Sequence, residues 1–241
     1  MKTKTILLAM FAMGILFTSC KKDEEVTPSN DVTMVSKIIS GYSELNVSDP
    51  FKVYVTFSDT EEIIEIEANS NLQQYITCEK QGNQLVIYVD DNVTIESGAV
   101  LNAYITTKQL YAFDADGAST IQLQNELNAT NVTINLTGAC GFSGTMHVSE
   151  LNSDLTGGSN LNISGSASSV ELNATGASNM RDYGFETNNF TCDIDGGCNV
   201  YLTIQQNLNV KAGGASNVYY KGDGVVGNQD LTGGSTIQKM N

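Results

Sequence analysis

Apolar and polar residues alternate along most of the chain beyond residue 36. Phe51-Lys52-Val53-Tyr54-Val55-Thr56-Phe57, Ile64-Glu65-Ile66-Glu67-Ala68 and Leu85-Val86-Ile87-Tyr88-Val89 each send every second side chain to one side. That is the period of a strand with one buried face. Gln81-Gly82-Asn83, lying between residues 75–78 and 85–89, predicts a hairpin turn. Residues 100–106 and 110–113 continue as strands, and no stretch after residue 20 has the length, period or caps of a helix.

From residue 114 the alternation is punctuated by one phrase, Thr/Asp/Gly-Gly-Gly/Ala-Ser/Cys-Asn/Thr/Gly followed by an apolar residue. Its leading glycines are Gly117, Gly138, Gly157, Gly176, Gly196, Gly214 and Gly233, whose successive numbers differ by 21, 19, 19, 20, 18 and 19. A short fixed period of this kind is the signature of a solenoid. Two residues before the glycine stand Leu136, Leu155, Ala174, Ile194, Ala212 and Leu231; four after it stand Ile121, Phe142, Leu161, Met180, Val200, Val218 and Ile237. The phrase therefore marks a bend between two inward-facing segments. The column Ser119, Cys140, Ser159, Ser178, Cys198, Ser216 and Ser235 exchanges residues alike in size rather than chemistry. It is expected in a small buried slot, with hydroxyls bonding a neighbouring rung. The next column, Thr120, Gly141, Asn160, Asn179, Asn199, Asn217 and Thr236, is expected to form an outward or turn-side Asn/Thr ladder.

These columns predict an all-β fold: a right-handed parallel β-helix of about seven repeats over residues 114–241, with two or three short strands per coil stacked about 4.8 Å apart. Residues 37–113 are expected to cap or continue it, since an open rung leaves unpaired backbone groups. Residues 1–19 read as an export signal: Lys2 and Lys4, an apolar run from Ile6 to Phe17, then Thr18-Ser19. Cys20 directly after them resembles the lipidated cysteine of bacterial lipoproteins, although Phe17 stands where that motif usually carries Leu. Residues 20–36 are then expected to be the lipidated cysteine and a flexible, charged tether. Asp23-Glu24-Glu25, so close to Cys20, resembles signals that send lipoproteins to the outer face of some outer membranes.

The Gly-Ala/Gly-Ser-Asn-apolar repeats, the alternating region from Phe51 to Thr106 and the lipoprotein-like start together resemble the putative auto-transporter adhesin, head GIN domain family. The resemblance covers roughly residues 43–238. It implies a β-solenoid envelope protein, often a lipoprotein, and brings no catalytic motif to place on this chain.

Charge and chemistry narrow the picture further. The formal charge is −15, and without residues 1–19 the chain has 10 basic against 27 acidic residues, a balance that repels nucleic acid. The expected partners are a membrane, through the lipid on Cys20, and a glycan or protein of a host or of the envelope; no cofactor is expected. The repeated serines are a poor nucleophile set, because a catalytic site should break a repeat. Asp114, Asp116, Asp193 and Asp195 are the candidate metal or acid residues, with turn carboxylates facing water as the plainer reading. Asp116 and Asp195 share a column four rungs apart, about 19 Å at strand spacing, too far for an acid pair. Cys140 and Cys198, three rungs apart, are likewise too distant to bridge; Cys192 and Cys198 flank one bend and could, but buried free thiols are the expected state. His147 with Glu150 reads as a surface pair. Two functions follow: a non-catalytic binding or structural module anchored at the bacterial surface, or a carbohydrate-active β-helix.

Overall fold

The computed structural model describes residues 24–241. It begins with β1 (Glu24–Val26) and β2 (Val32–Lys37), then forms one coil from β3 (Glu44–Val47) and β4 (Lys52–Phe57). The chain next leaves the coil through β5 (Ile63–Asn69), a 3₁₀ turn at Gln73–Tyr75 and β6 (Ile76–Gln81). It returns as β7 (Gln84–Val89), β8 (Val93–Ile95) and β9 (Leu101–Thr107), then as β10 (Ala112–Ala115) and β11 (Thr120–Leu123). The long coils follow: β12 (Leu127–Gly138), β13 (Gly141–Gly157), β14 (Asn160–Gly176), β15 (Asn179–Gly196) and β16 (Asn199–Ala212). The stack ends with β17 (Asn217–Lys221), β18 (Val225–Leu231) and β19 (Thr236–Lys239).

The N-terminal region both continues and caps the solenoid. β3 pairs in parallel with β7 on one side and β10 on the other, and β4 likewise with β9 and β11. The first coil in sequence is therefore sandwiched between two later ones. Parallel pairing in register stacks like on like: Leu45 lies between Leu85 and Phe113, with Ile134 next, and all four are fully buried. Beyond the β7–β9 coil the stack is closed by antiparallel strands, β6 on β7 and β5 between β9 and β2. These take up the backbone groups that a bare rung would leave unpaired.

Two sequence expectations are corrected. Residues 24–36, read as flexible tether, contain β1, parallel with β8, and β2, antiparallel with β5. Composition correctly indicates that they bury little, since Val32 and Met34 are 43% and 50% exposed. Their order comes instead from backbone pairing, which composition does not report. Short strands do build the first and last coils, as in β10, β11, β17 and β19, but not the middle of the stack: β13 and β14 are 17 residues each and pair with each other from Gly141↔Asn160 to Leu155↔Ala174. In-register pairing simply carries on around the bends.

A further repeat lies hidden in the first coil. Asp49 has φ +67°, and its backbone N lies 3.4 Å from where a Cβ on Gly117 would be. Asp49 thus holds the place of the leading glycine, with Leu45 and Val47 before it and Val53 after it in the apolar columns. Aspartate enters the left-handed region more readily than most residues, and its Oδ2 accepts a hydrogen bond from Val89 N–H at 2.8 Å.

The serine slot is as buried as expected: Ser119, Ser159, Ser178 and Ser216 have no exposed surface. The bonding runs both between coils, as expected, and within them. Ser119 donates to the Asp49 carbonyl, Ser159 to the Gly138 carbonyl at 3.4 Å, and Ser216 Oγ accepts from Cys198 N–H at 3.2 Å, each in the adjacent coil. Ser159 and Ser178 also donate to the carbonyls of Thr156 and Thr175, three residues back in their own coil, at 2.9 and 3.0 Å. Cys140 and Cys198 make the corresponding contacts to Thr137 and Asp195.

The Asn ladder forms as read. Asn179 Nδ2 donates to Asn160 Oδ1, Asn199 to Asn179 and Asn217 to Asn199, each at 3.2 Å, and Thr236 Oγ1 donates to Asn217 Oδ1 at 2.7 Å. Each Asn from 179 to 217 also donates to the carbonyl two residues back. Asn199→Ala breaks the ladder at its middle and is expected to cost about 1–2 kcal/mol. Urea unfolding of the variant should show a lower midpoint at unchanged m; an unaltered midpoint would mean the ladder is decorative.

Candidate binding face

On the sheet that follows each glycine bend, the outward residue five beyond the glycine falls in one file. In spatial order it runs Tyr104, Tyr54, Gln122, Ser143 and Asn162, then Arg181, Tyr201, Tyr219 and Gln238. The in-register coils hold these side chains one strand spacing apart, close enough for rings to touch. Tyr54 stacks on Tyr104, centroids 5.2 Å apart and planes within 13°. Tyr201 stacks on Tyr219 at 4.9 Å and 17°. Such rings present rigid amphipathic edges to solvent and lose little entropy on contact.

The face is interrupted at one place. β14 and β15 pair Leu161↔Met180 and then Gly165↔Phe185, so β15 carries an extra residue. Against β16 the shift is larger: after Arg181↔Tyr201 the next pair is Glu186↔Thr203. The surplus, Asp182-Tyr183-Gly184, bulges outward. It is fixed by Gly184 N–H donating to Asp182 Oδ1 at 2.7 Å and Thr203 Oγ1 donating to the Tyr183 carbonyl at 2.7 Å. Phe185 then returns to the core, fully buried.

The bulge raises Tyr183 beside the tyrosine file. Its ring meets Tyr201 edge-on at 5.8 Å and 90°, and Lys221 Nζ lies 5.0 Å above its centroid, within cation–π range. Burial, then the neighbouring tyrosines, push the Tyr183 pKa up. Asn162, Arg181, Asp182, Tyr183 and Tyr201 line a shallow, open recess of about 510 Å³. Arg181 is the only arginine in the chain. Among the described residues the one ion pair is Lys211 with Asp193, and the Arg181 guanidinium donates no hydrogen bond.

The residues singled out in sequence fall elsewhere. Asp114 accepts from Gln84 at 3.1 Å and Asn135 at 2.6 Å, and Asp116 from Ser48 at 3.0 Å, all contacts between coils. Asp193 is paired with Lys211 at 2.7 Å, and that hydrogen bond raises the Lys211 pKa. Asp195 shares with them the rim of a recess of about 260 Å³. Among the described residues no three His, Cys, Asp or Glu side chains come together as a metal site. His147 Nδ1 meets Ser166 Oγ at 2.9 Å, in the next coil, rather than Glu150. Cys78, Cys140, Cys192 and Cys198 are all free and buried, so the Cys192–Cys198 bridge is not formed. The seven glycines line the bend, each at positive φ. Cys20 lies outside the described residues, among which no helix is long and apolar enough to cross a membrane.

Tyr183, Tyr201, Tyr219 and Lys221 were not singled out. A weak signal existed, because Arg181, Tyr201 and Tyr219 all stand five after a leading glycine. The bulge that makes a recess of them depends on pairing registers that no column displays.

A family model described as putative auto-transporter adhesin, head GIN domain matches residues 41–224. No curated protein matches the chain. Among solved structures it is similar to a putative adhesin from Bacteroides fragilis NCTC 9343, with 17% identity, TM-score 0.82, and 89% of this chain and 100% of that chain covered. It is similar to a putative adhesin from Parabacteroides merdae ATCC 43184, with 19% identity, TM-score 0.68, and coverage of 90% and 100%. A putative lipid binding protein from Parabacteroides distasonis ATCC 8503 shares 16% identity at TM-score 0.74, with 90% and 100% covered. At such identities the likeness is one of fold.

Proposed function

The chain belongs to the putative auto-transporter adhesin, head GIN domain family, and from that premise we propose that it is a non-catalytic adhesion module of the bacterial envelope, held to the outer membrane by a lipid on Cys20. The observation that carries this reading is the outward face, whose stacked tyrosine pairs and Asn ladder are held in place from coil to coil. A surface already ordered before contact loses little entropy when it binds. The four aspartates, by contrast, serve coil-to-coil contacts or face water.

The short span before β1 refines the attachment. Between Cys20 and Glu24 the chain can reach at most about 14 Å at 3.6 Å per residue, so a lipid on Cys20 would hold the capped end of the solenoid close to the bilayer. The stack would then extend away from the membrane with the tyrosine face along its side.

Beads coated with the chain should be retained on mucin, host-cell or envelope-glycan surfaces above beads coated with albumin, and should release no reducing ends or unsaturated products from a polysaccharide panel. Absence of retention on every surface would overturn adhesion, and product release would favour the carbohydrate-active alternative. In cells, Cys20→Ala should abolish lipid labelling and move the protein out of the membrane fraction.

A further inference from the structure

We propose that the recess at the β15 bulge is a binding site for a sugar bearing a carboxylate, such as an acidic residue of a surface glycan, with Arg181 as the group that recognises the carboxylate. The proposal rests on the adhesion reading and gives it a place and a ligand chemistry.

Four observations converge. The bulge is where the pairing register of this face breaks most widely, with Asp182-Tyr183-Gly184 inserted opposite a continuous neighbour. A repeat held in register elsewhere on this face admits such an insertion here, and the insertion is locked by two hydrogen bonds. The chain's only arginine stands at its edge, exposed, in a protein of formal charge −15. Its planar guanidinium suits two parallel hydrogen bonds to a carboxylate, and no protein carboxylate takes that role among the described residues. The neighbouring carboxylate, Asp182, is directed to Gly184 N–H in its own loop. A second cation, Lys221, lies over the Tyr183 ring beside the recess.

The lining suits a sugar lying across a shallow, open depression. The walls are polar and aromatic: the Asn162 amide and the Tyr183 and Tyr201 phenols offer donors and acceptors to ring hydroxyls, and their ring edges offer apolar contact.

The test measures binding of the purified chain to oligogalacturonides and to sialyl-lactose, each beside its carboxyl-reduced counterpart. The expected result is binding of at least one acidic ligand, weakened tenfold or more by reduction of its carboxylate. Arg181→Gln should weaken the acidic ligand to a similar extent and leave the reduced one unaffected. Arg181→Lys should recover only part of the loss, because it keeps charge but not the planar fork. Tyr201→Ala should weaken both ligands. The two acidic ligands distinguish uronic acid from sialic acid as the source of the carboxylate. Equal affinity for acidic and reduced ligands, unchanged binding by Arg181→Gln, or no binding of either acid would overturn the proposal. Arg181→Gln beads that adhere like wild type would overturn only this site, whereas wild-type beads that fail to adhere anywhere overturn the adhesion reading itself. Arg181 is exposed and makes no internal hydrogen bond, so an unchanged melting temperature should accompany the binding loss.

Discussion

Gly157→Ala is expected to destabilise the protein by about 3 kcal/mol or more. Gly157 has φ +80°, and a Cβ there would lie 2.6 Å from the Gly138 carbonyl oxygen of the preceding coil. That oxygen already accepts a hydrogen bond from Gly158 N–H at 2.7 Å, so it cannot move aside without losing a rung contact. The left-handed backbone alone costs an alanine about 1–2 kcal/mol. Displacing a packed neighbour adds about 1–3 kcal/mol. Gly82 supplies the control: its φ is +62° but nothing lies within 4 Å of its Cβ position. Gly82→Ala should therefore show the backbone cost without the steric one. Urea unfolding of both variants should separate their midpoints clearly, and near-equal losses would show that close approach of the coils is not what fixes glycine in the phrase.

Stability should also fall steeply in alkali, and the buried thiols set the window. Burial pushes the Cys192 pKa up to about 12 and the Cys78 pKa up to about 11, with Asp193 adding to the first and Lys37 partly offsetting the second. In the unfolded chain each thiol ionises near its ordinary value of about 8.5–9. Between those values the unfolded state has lost a proton that the folded state keeps, so the native state binds more protons and stability decreases as pH rises. Each thiol contributes about 1.4 kcal/mol of loss per pH unit in that window, or about 2 kcal/mol by pH 10.5. Denaturant titrations at pH 8, 9, 10 and 10.5 should follow this slope. The double variant Cys78→Ala with Cys192→Ala, though less stable at every pH because of its cavities, should lose much of the slope. A slope unchanged in that variant would assign the alkaline loss to other groups.

Much of the fold was legible because a parallel solenoid copies one constraint at every rung. The apolar columns beginning with Ile121 and Leu136, the Ser/Cys slot and the Asn ladder from Asn160 to Asn217 each satisfy the same local environment repeatedly. What escaped was whatever occurs once. Asp49 does a glycine's work without resembling one, because an aspartate in the left-handed region and a glycine give the backbone the same turn. Residues 24–36 gain their order from strand pairing with β5 and β8, to which their own side chains contribute little.

The candidate site divides in the same way. The repeat alone was enough to show that the seven copies bend at a glycine, which columns face inward, and that the repeated serines are packing groups rather than nucleophiles, because periodicity is a local property that identical neighbours reinforce. The place of the recess, by contrast, came from the packing of one coil on the next. The recess arises from a mismatch between β15 and its neighbours, which brings Arg181, Tyr183 and Tyr201 together with Lys221 from two coils later. A register shift is a relation between strands, and no single strand's residues encode it.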